Sequence, residues 1–381
     1  MKFKMKNITH KIVDSVSEIK RDDWDSVFGD IPEGYQFYKT LEESKLQDFA
    51  FSYIALYQAD TCLLIAPLFV TDFNLDIAAD GFIEEIIQRI RKFNPRFMVV
   101  KTLFCGSPFR EHGDLGIRKD IEEKDILIGE LIKTMSEFSK VKNTPFIIVK
   151  DFLKEETLLS DSLSAHGFFK VKSFPSTITE LNFNSFDEYL KSLGHSTRKN
   201  LRRKIKKAYS QADIKVKTAE RIDDIVEDVH RLYENTYHNG TTKFERLTRE
   251  FFVNVARNLY PHTKFFLYYV NGKLSAFNLC FVYKDLFIDK FIGFDYDISN
   301  RYNLYFVSWC FNIEWCLKNS IRFYQSGQTD YYPKLRLGGK LIPLYAYLKH
   351  KNPVVNSLFK LLAIFLKPDN FDVDIRNNPD V

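Results

Sequence analysis

The sequence predicts an α/β (α+β) protein of two tandem domains, each a mixed central sheet flanked by helices. Three observations predict it. Short β-branched and aromatic runs alternate with helical apolar stripes along the whole chain. The 381 residues exceed what a single hydrophobic core ordinarily holds. The element order of the first half (three strands, a helix, a strand, a late pair) returns in the second. The expected domains are 1–182 and 183–381, the second opening on a basic helix over 195–210.

In the first half, Leu41–Phe49 reads as a helix. Tyr53–Tyr57 and Thr61–Val70 read as strands joined by a turn at Ala59-Asp60. Ile83, Ile86, Ile87 and Ile90 recur at helical spacing. Phe97–Leu103 is a strand running into the turn Cys105-Gly106-Ser107-Pro108. Ile126–Phe138 is helical, with Leu127, Leu131, Met135 and Phe138 on one stripe. Pro145–Val149 is a buried strand, and Leu153–Ala165 a helix stopped by Gly167. Strands Phe168–Val171 and Thr177–Leu181 close the half.

In the second half, Ile214–Val216 is a short strand. Ile222, Ile225, Val229, Leu232 and Tyr233 form a helical stripe, with Asp223 and Asp224 suited to its first turn. Leu247, Phe251, Phe252 and Val255 form another helix. Strands Lys264–Val270, Leu274–Val282 and Leu286–Phe294 follow, the first two joined by the hairpin dipeptide Asn271-Gly272. Tyr302–Leu317 is almost entirely apolar, which predicts a buried helix. Ile321–Tyr324 and Leu341–Leu348 are the closing strands.

Composition narrows the class. Hydrophobic residues at 45% and charged ones at 28% fit a soluble globular protein and exclude a disordered chain. The net charge of +5 is mild, so its distribution matters more than its size. Cys62, Cys105, Cys280, Cys310 and Cys316 form no C-x-x-C pair and are odd in number, which favours a reduced, cytoplasmic setting. Met1–Ile19 has lysines without an apolar core, so no secretory signal is expected. The scattered histidines have no metal-ligand spacing, and no metal is expected. Val354–Leu366 is apolar apart from Lys360 and is flanked by Lys349, Lys351 and Lys367. It reads as a terminal helix docked on its own domain or lying peripherally on a membrane.

Four stretches carry a family resemblance. They are the basic run Gly194–Lys207, the Phe251-Phe252 helix ahead of its hairpin, Ile313-Glu314-Trp315-Cys316 ending the buried helix, and Ser326-Gly327-Gln328 followed by Tyr332–Gly338. His166-Gly167-Phe168 adds a similar pattern in the first half. In this order they resemble the GNAT (acetyltransferase-like) superfamily. The doubled layout resembles Fem-type peptidoglycan aminoacyltransferases and related N-acyltransferases. The resemblance implies a degenerate first copy, a catalytic second copy and a cleft between the two. It also implies transfer of an acyl or aminoacyl group from an activated thioester or ester to an amine of a cell-envelope or small-molecule precursor. Acyl-CoA or another activated donor would be the co-substrate, with no tightly bound cofactor. Acetyl-CoA-dependent members carry a glycine-rich pyrophosphate loop where this chain has Asp295–Asn303, without Gly-x-Gly. Fem-type users of aminoacyl-tRNA lack that loop too, so tRNA is an alternative partner. A non-enzymatic alternative is a GNAT scaffold docking on nucleic acid or membrane.

Candidate site residues follow. Asp289 interrupts the apolar strand Leu286–Phe294, beside Lys290, and is the candidate base for the acceptor amine. Tyr332 could protonate the leaving group, Gln328 orient a carbonyl, and Lys334 hold an anion. Arg198–Lys207 holds seven Lys/Arg in ten positions, a solvated charged face or an anion-binding one. Arg198, Arg202 and Arg203 are its candidate phosphate clamps for an anionic or phosphate-bearing substrate. Tyr237, Asp295 and Asn303 complete the binding set. Cys105 lacks the signature of a nucleophile.

Overall fold

The computed structural model describes residues 7–75, 81–240, 244–363 and 373–378, with backbone alone over 81–84. Ile83 and the end of the 354–366 segment therefore lie outside the described side chains or residues. Along the chain run β1 (Ile8–Val13), α1 (Arg21–Phe28), α2 (Tyr35–Glu43), β2 (Ala50–Gln58), β3 (Thr61–Asn74), α3 (Gly81–Arg91), β4 (Val99–Cys105), β5 (Gly116–Ile117), α4 (Lys124–Val141), β6 (Phe146–Leu153), α5 (Thr157–Ala165) and β7 (Phe169–Lys172). The second half holds β8 (Ser176–Glu180), α6 (Phe186–Ser192), α7 (His195–Gln211), β9 (Ile214–Ala219), α8 (Val226–Asn239), α9 (Arg249–Asn258), β10 (Thr263–Val270), β11 (Lys273–Tyr283) and β12 (Leu286–Phe294). It closes with α10 (Tyr296–Tyr302), α11 (Leu304–Lys318), β13 (Phe323–Gln325), α12 (Tyr331–Arg336), β14 (Lys340–Ile342), β15 (Leu344–His350), α13 (Pro353–Leu362) and α14 (Val373–Arg376).

The mixed α/β architecture in two sheets is as expected; the strand allocation is not. The chain forms one unit from Met1–Glu42, Gln47–Pro175 and Pro343–Val381, and another from Glu43–Leu46 and Ser176–Ile342. The expected break at 182/183 thus moves to Pro175/Ser176, and residues after Ile342 return to the first unit. Two strands cause this. β8, expected to close the first half, lies between β13 and β14 of the second sheet. The expected single strand Leu341–Leu348 is interrupted at Pro343, which has no N–H for a ladder. Its first part is β14 beside β8, and its second part is β15, inserted between β6 and β7.

The first unit has the sheet order β1-β2-β3-β4-β6-β15-β7, with β5 against β3. Among the described residues of this sheet, only β4 and β6 pair parallel, from Thr102 opposite Phe146 to Cys105 opposite Val149. The α4 stripe of Leu127, Leu131 and Met135 is buried with Leu64, Leu103 and Ile147. An aromatic group of Trp24, Tyr38 and Tyr53 packs with Val16 and Ile65 in a separate core. The expected helix Leu41–Phe49 is found earlier, as α2, and Lys45 at φ 53 lies beyond its end.

The second unit has the order β14-β8-β13-β12-β11-β10-β9. Phe266, Tyr268, Phe287 and Tyr324 pack with Val307, Trp309 and Ile313 of α11. Phe252 of α9 meets Phe277 of β11 at 5.6 Å between ring centroids. Gly293 lets the α8 backbone approach β12, since a Cβ there would stand 2.7 Å from the Leu232 carbonyl carbon and the Tyr233 nitrogen. The expected helix Tyr302–Leu317 breaks at Asn303, whose left-handed backbone (φ 54) ends α10 and starts α11.

Candidate functional site

In the second unit, β12 and β13 run parallel from Leu286 opposite Phe323 to Ile288 opposite Gln325, and there the pairing ends. Asp289 is the next residue of β12. A bulge falls at the same place: Cys280 of β11 opposes Asp289 while Leu279 opposes Phe291, leaving Lys290 as the extra residue. Bulges kink a strand and re-aim its side chains. Here the result is a carboxylate under α11 instead of an apolar residue.

Three neutral donors hold that carboxylate. Asn278 Nδ2 donates to Oδ1 at 2.9 Å, Tyr324 Oη to Oδ2 at 2.7 Å, and Asn312 Nδ2 to Oδ2 at 3.2 Å. Asn312 Nδ2 also reaches the Tyr324 hydroxyl at 3.3 Å, and Tyr268 Oη donates to Asn312 Oδ1 at 3.4 Å. Burial pushes the Asp289 carboxyl above its ordinary value. Hydrogen bonds from Tyr324 and Asn278 and the charge of Lys334 pull it down, but burial wins.

Several side-chain oxygens on β8, β11, α11 and the residue after β13 have no protein partner. Tyr305 Oη, Asn278 Oδ1, Ser326 Oγ, Thr177 Oγ1 and Thr179 Oγ1 are all buried and unpaired. Thr179 opposes Tyr324 in the ladder, and Ser326 N donates to the Thr177 carbonyl at 2.9 Å. Tyr305 stands on α11 within reach of the Asp289 charge. An unmade hydrogen bond costs about 1–3 kcal/mol per buried group. Two of these atoms, Asn278 Oδ1 and Tyr305 Oη, belong to residues that bond to Asp289 or feel its charge.

Lys334 joins this region. It is buried on α12, its Nζ donates to the Thr329 carbonyl, and its charge acts on Asp289. Gly339 makes room beside it, because a Cβ there would stand 2.9 Å from the Lys334 carbonyl oxygen. Gln328 lies on the loop before α12, where its carbonyl accepts from the Tyr331 hydroxyl. Tyr332 is exposed and turns the other way: Arg336 Nη1 donates to its hydroxyl at 2.9 Å, and Arg336 Nη2 reaches Thr197 of α7 at 3.2 Å.

The basic helix α7 is partly committed. Arg198 Nη1 donates to the carbonyls of Lys191 at 3.0 Å and Leu193 at 3.2 Å, closing the end of α6. That binds Arg198 into the fold. Arg202 meets Asp187 at 3.4 Å and Arg203 meets Asn200 at 2.9 Å, both exposed. Lys204 Nζ sits 3.4 Å from the centre of the Phe306 ring.

Tyr237, Asp295 and Asn303 lie elsewhere in this unit. Tyr237 packs its ring 5.7 Å from the Arg246 guanidinium, beside a surface depression of about 660 Å³ lined by α8 and by Arg246 and Arg249. Its charges are already paired, Glu234 with Arg246 at 2.7 Å and Glu227 with Arg249 at 2.8 Å, so it offers less chemistry than the Asp289 network. Asp295 caps α10, accepting from Ile298 N at 3.3 Å and from Lys273 Nζ at 2.9 Å. Burial opposes its charge, but Lys273 and the Ile298 N–H hold its carboxyl below the ordinary value. Asn303 acts through its backbone, its carbonyl accepting from Phe306 N at 3.0 Å. Cys105 is buried in the first unit, and burial pushes its thiol up to about 12, which fits packing and not nucleophilic chemistry.

Sequence reasoning missed Asn278, Asn312, Tyr324, Tyr305 and Ser326. Asn278 and Asn312 carried a signal: each interrupts an apolar run, as Asp289 does. Tyr324 and Tyr305 carried none, since tyrosines at such positions are ordinary core residues.

Fold and site together define a tandem GNAT-like architecture, with one polar centre beneath the long helix of the second copy. A sequence model of the FemAB-like family, described as acting in peptidoglycan biosynthesis or recognition, matches residues 15–338, and the chain belongs to that family. Solved structures share the fold. FemX superposes with a TM-score of 0.56 at 11% identity, over 93% of this chain and 100% of that one. A tandem GNAT protein from the clavulanic acid biosynthesis pathway gives 0.52 at 9% identity, over 91% and 99%. The C-terminal domain of a protein named as a lysylphosphatidylglycerol synthetase from Agrobacterium fabrum gives 0.52 at 10%, over 92% and 97%. A Mycobacterium tuberculosis protein named as an 8-amino-7-oxononanoate synthase is 24% identical over 331 residues, 85% of this chain. The chain spans 43% of the length of that curated relative.

Proposed function

We propose that the chain is an N-acyltransferase whose reaction centre is Asp289 and its surroundings in the second unit. The observation that carries this is the raised, half-buried carboxylate held by three neutral donors and acted on by the Lys334 charge. Acyl transfer to an amine needs a proton acceptor and donors for the developing oxyanion. Asp289 takes the proton of the attacking amine as the new C–N bond forms. The carbonyl electron pair moves to oxygen, where the Lys334 ammonium and the Ser326 hydroxyl supply positive and hydrogen-bonding character. Collapse breaks the ester or thioester bond, and the leaving group departs with the proton held by Asp289. The acceptor would be an amine of a cell-envelope or small-molecule precursor.

An aminoacyl ester, as on aminoacyl-tRNA, is the donor the residues favour over a CoA thioester. In CoA-dependent relatives of this fold class, free backbone N–H groups hold a pyrophosphate after the fourth strand. Here α10 fills that stretch, and the Asp295 carboxylate already takes the Ile298 N–H. A fixed negative charge at that helix end disfavours an anion. The exposed cations of α7 supply the electrostatic attraction that a polynucleotide requires.

The test is a thermal-shift screen of the protein with CoA, acyl-CoA thioesters, deacylated tRNA and aminoacyl-tRNA. We expect aminoacyl-tRNA to stabilise the protein, with affinity falling steeply as salt rises. Stabilisation by a CoA thioester alone would move the donor assignment to acyl-CoA. Transfer that survives Asp289→Asn would remove the reaction centre from this network.

A further inference from the structure

Membrane-surface contact needs apolar side chains standing out of a protein among cations, with few anions beside them. The first unit has such a place. On α13, Phe359 turns inward and packs edge-on against Phe146 at 4.9 Å. The opposite stripe, Val354, Leu358, Leu361 and Leu362, follows the helical repeat and is exposed, Val354 by 76% and Leu361 by 65%. A helix docked only on its own domain would turn this stripe inward.

Two further segments share that end of the sheet. Lys351 N donates to the Pro145 carbonyl at 2.8 Å, which sets the start of α13 beside the loop leaving α4. Lys101 Nζ donates to the Lys142 carbonyl at 3.1 Å, which brings the start of β4 to the same loop. Before β4 comes the turn after α3, tied by Arg91 Nε to the Phe97 carbonyl at 3.1 Å. Each segment carries one large apolar residue in solvent: Val141 is 79% exposed and Phe93 92%. Isolated exposed apolar residues are ordinary. Six from three chain segments at one end of one sheet are not.

The charges complete the picture. Lys92, Lys101, Lys140, Lys351 and Lys360 stand exposed among these side chains. Two carboxylates at this end are matched by further cations, Asp14 by Lys142 at 3.3 Å and Asp72 by Arg96 at 3.7 Å, while Glu137 stands exposed one turn before Val141. Among the described residues no helix is long and apolar enough to cross a membrane, so contact here would be peripheral.

We propose that this end of the first unit docks on an anionic lipid bilayer, inserting the α13 stripe with Phe93 and Val141 while the surrounding lysines face the headgroups. The charge pattern selects the occupant. A second copy would bring the same lysines against themselves, whereas an anionic bilayer neutralises them and accepts the leucines together. The proposal is independent of the acyl-transfer reading, because none of these residues belongs to the Asp289 network.

The experiment is co-sedimentation of the full chain with phosphatidylglycerol–phosphatidylcholine vesicles and with phosphatidylcholine vesicles alone. The wild type is expected to sediment with the anionic vesicles and to be released by salt. Leu358→Glu with Leu361→Glu should lower the partition coefficient at least about tenfold. Phe93→Ser, on another segment, should lower it by a smaller factor, and Lys351→Glu with Lys360→Glu should remove the preference for anionic lipid. Far-UV circular dichroism and the melting temperature confirm that each variant is folded. Equal binding to neutral vesicles, binding insensitive to all three changes, or a self-associated wild type that the leucine changes disperse without any vesicle binding would each overturn the proposal.

Discussion

The two units meet the same structural problem in opposite ways. In each, a parallel strand pair stops pairing partway along one strand. In the first unit β4 turns away at Cys105, and the chain that follows fills the space. Lys150 Nζ binds the carbonyls of Ser107 and Arg110, each at 3.0 Å, and Gly113 N binds the Asp151 carbonyl at 2.7 Å. Behind it, Arg110 is locked between Asp114 and Glu33, with the Tyr38 hydroxyl also on Asp114. In the second unit the carboxylate beyond the last pair, Asp289, has amide and phenol partners instead of a guanidinium. Burial raises the Asp114 carboxyl too, but the Arg110 charge opposes that rise, and Arg110 and Tyr38 occupy the group. Neutral donors leave the carboxylate able to exchange a proton. In the proposed reading, the second unit keeps this place for chemistry while the first fills its own with paired side chains.

The largest expected effect breaks the comparison at its active side. Asp289→Asn should lower kcat by about 10²–10⁴, with a modest change in melting temperature, read by transfer kinetics and calorimetry on one preparation. The matching change in the first unit should act on the other axis. Asp114→Asn removes one of the two carboxylates on the buried Arg110 guanidinium and should cost up to about 3–5 kcal/mol in stability, read by urea denaturation, while the folded fraction keeps its turnover. A turnover loss in both variants would end the division of labour between the units.

Smaller changes sharpen it. The Asp289 carboxyl titrates higher in the folded protein than in the unfolded chain. In the proposed reaction its ionised form is the base, so activity should fall as pH drops through that raised value, above the ordinary carboxylate range. Stability has the opposite slope: this group's contribution is complete below the unfolded pKa and is lost as pH rises through the folded one. Asp289→Asn should therefore remove both an acid limb of kcat/KM and that slope of the wild-type stability curve. Smallest of all, Arg198→Ala should cost about 1 kcal/mol by releasing the end of α6, while leaving the salt dependence of polynucleotide binding nearly unchanged. Reversing Arg202 and Arg203 should flatten that salt dependence with little change in stability.

Much of this fold was legible in the residues. Apolar periodicity located α4, α8 and α9, because each buries one regular face, and near-continuous apolar runs located β10 to β12. The Asn271-Gly272 hairpin formed where expected. The strand exchange was not legible, because β8 and β15 are short segments with nothing in their residues that names a neighbouring strand. Pro343, between β14 and β15, was the one local sign of it. β1 and α1 escaped because short, charge-rich segments owe their structure to tertiary partners such as the Trp24 cluster. At the site, Asp289 was legible as a charge where an apolar residue belonged. Its partners come from β11, α11 and β13, and only folding brings them to one carboxylate.

One matched pair of substitutions tests the central claim most directly. Tyr38 and Tyr324 each donate a phenol hydrogen bond to a carboxylate beyond a parting strand pair, one in each unit. Removing a buried hydrogen bond costs about 1–3 kcal/mol at either place. The measurement is the pH profile of kcat/KM for Tyr38→Phe and Tyr324→Phe beside the wild type. The Tyr324 hydroxyl holds the Asp289 carboxyl down, so Tyr324→Phe should move the acid limb to higher pH and lower the rate. Tyr38→Phe should melt earlier and keep the wild-type profile. A profile shifted by Tyr38→Phe and untouched by Tyr324→Phe would contradict the account.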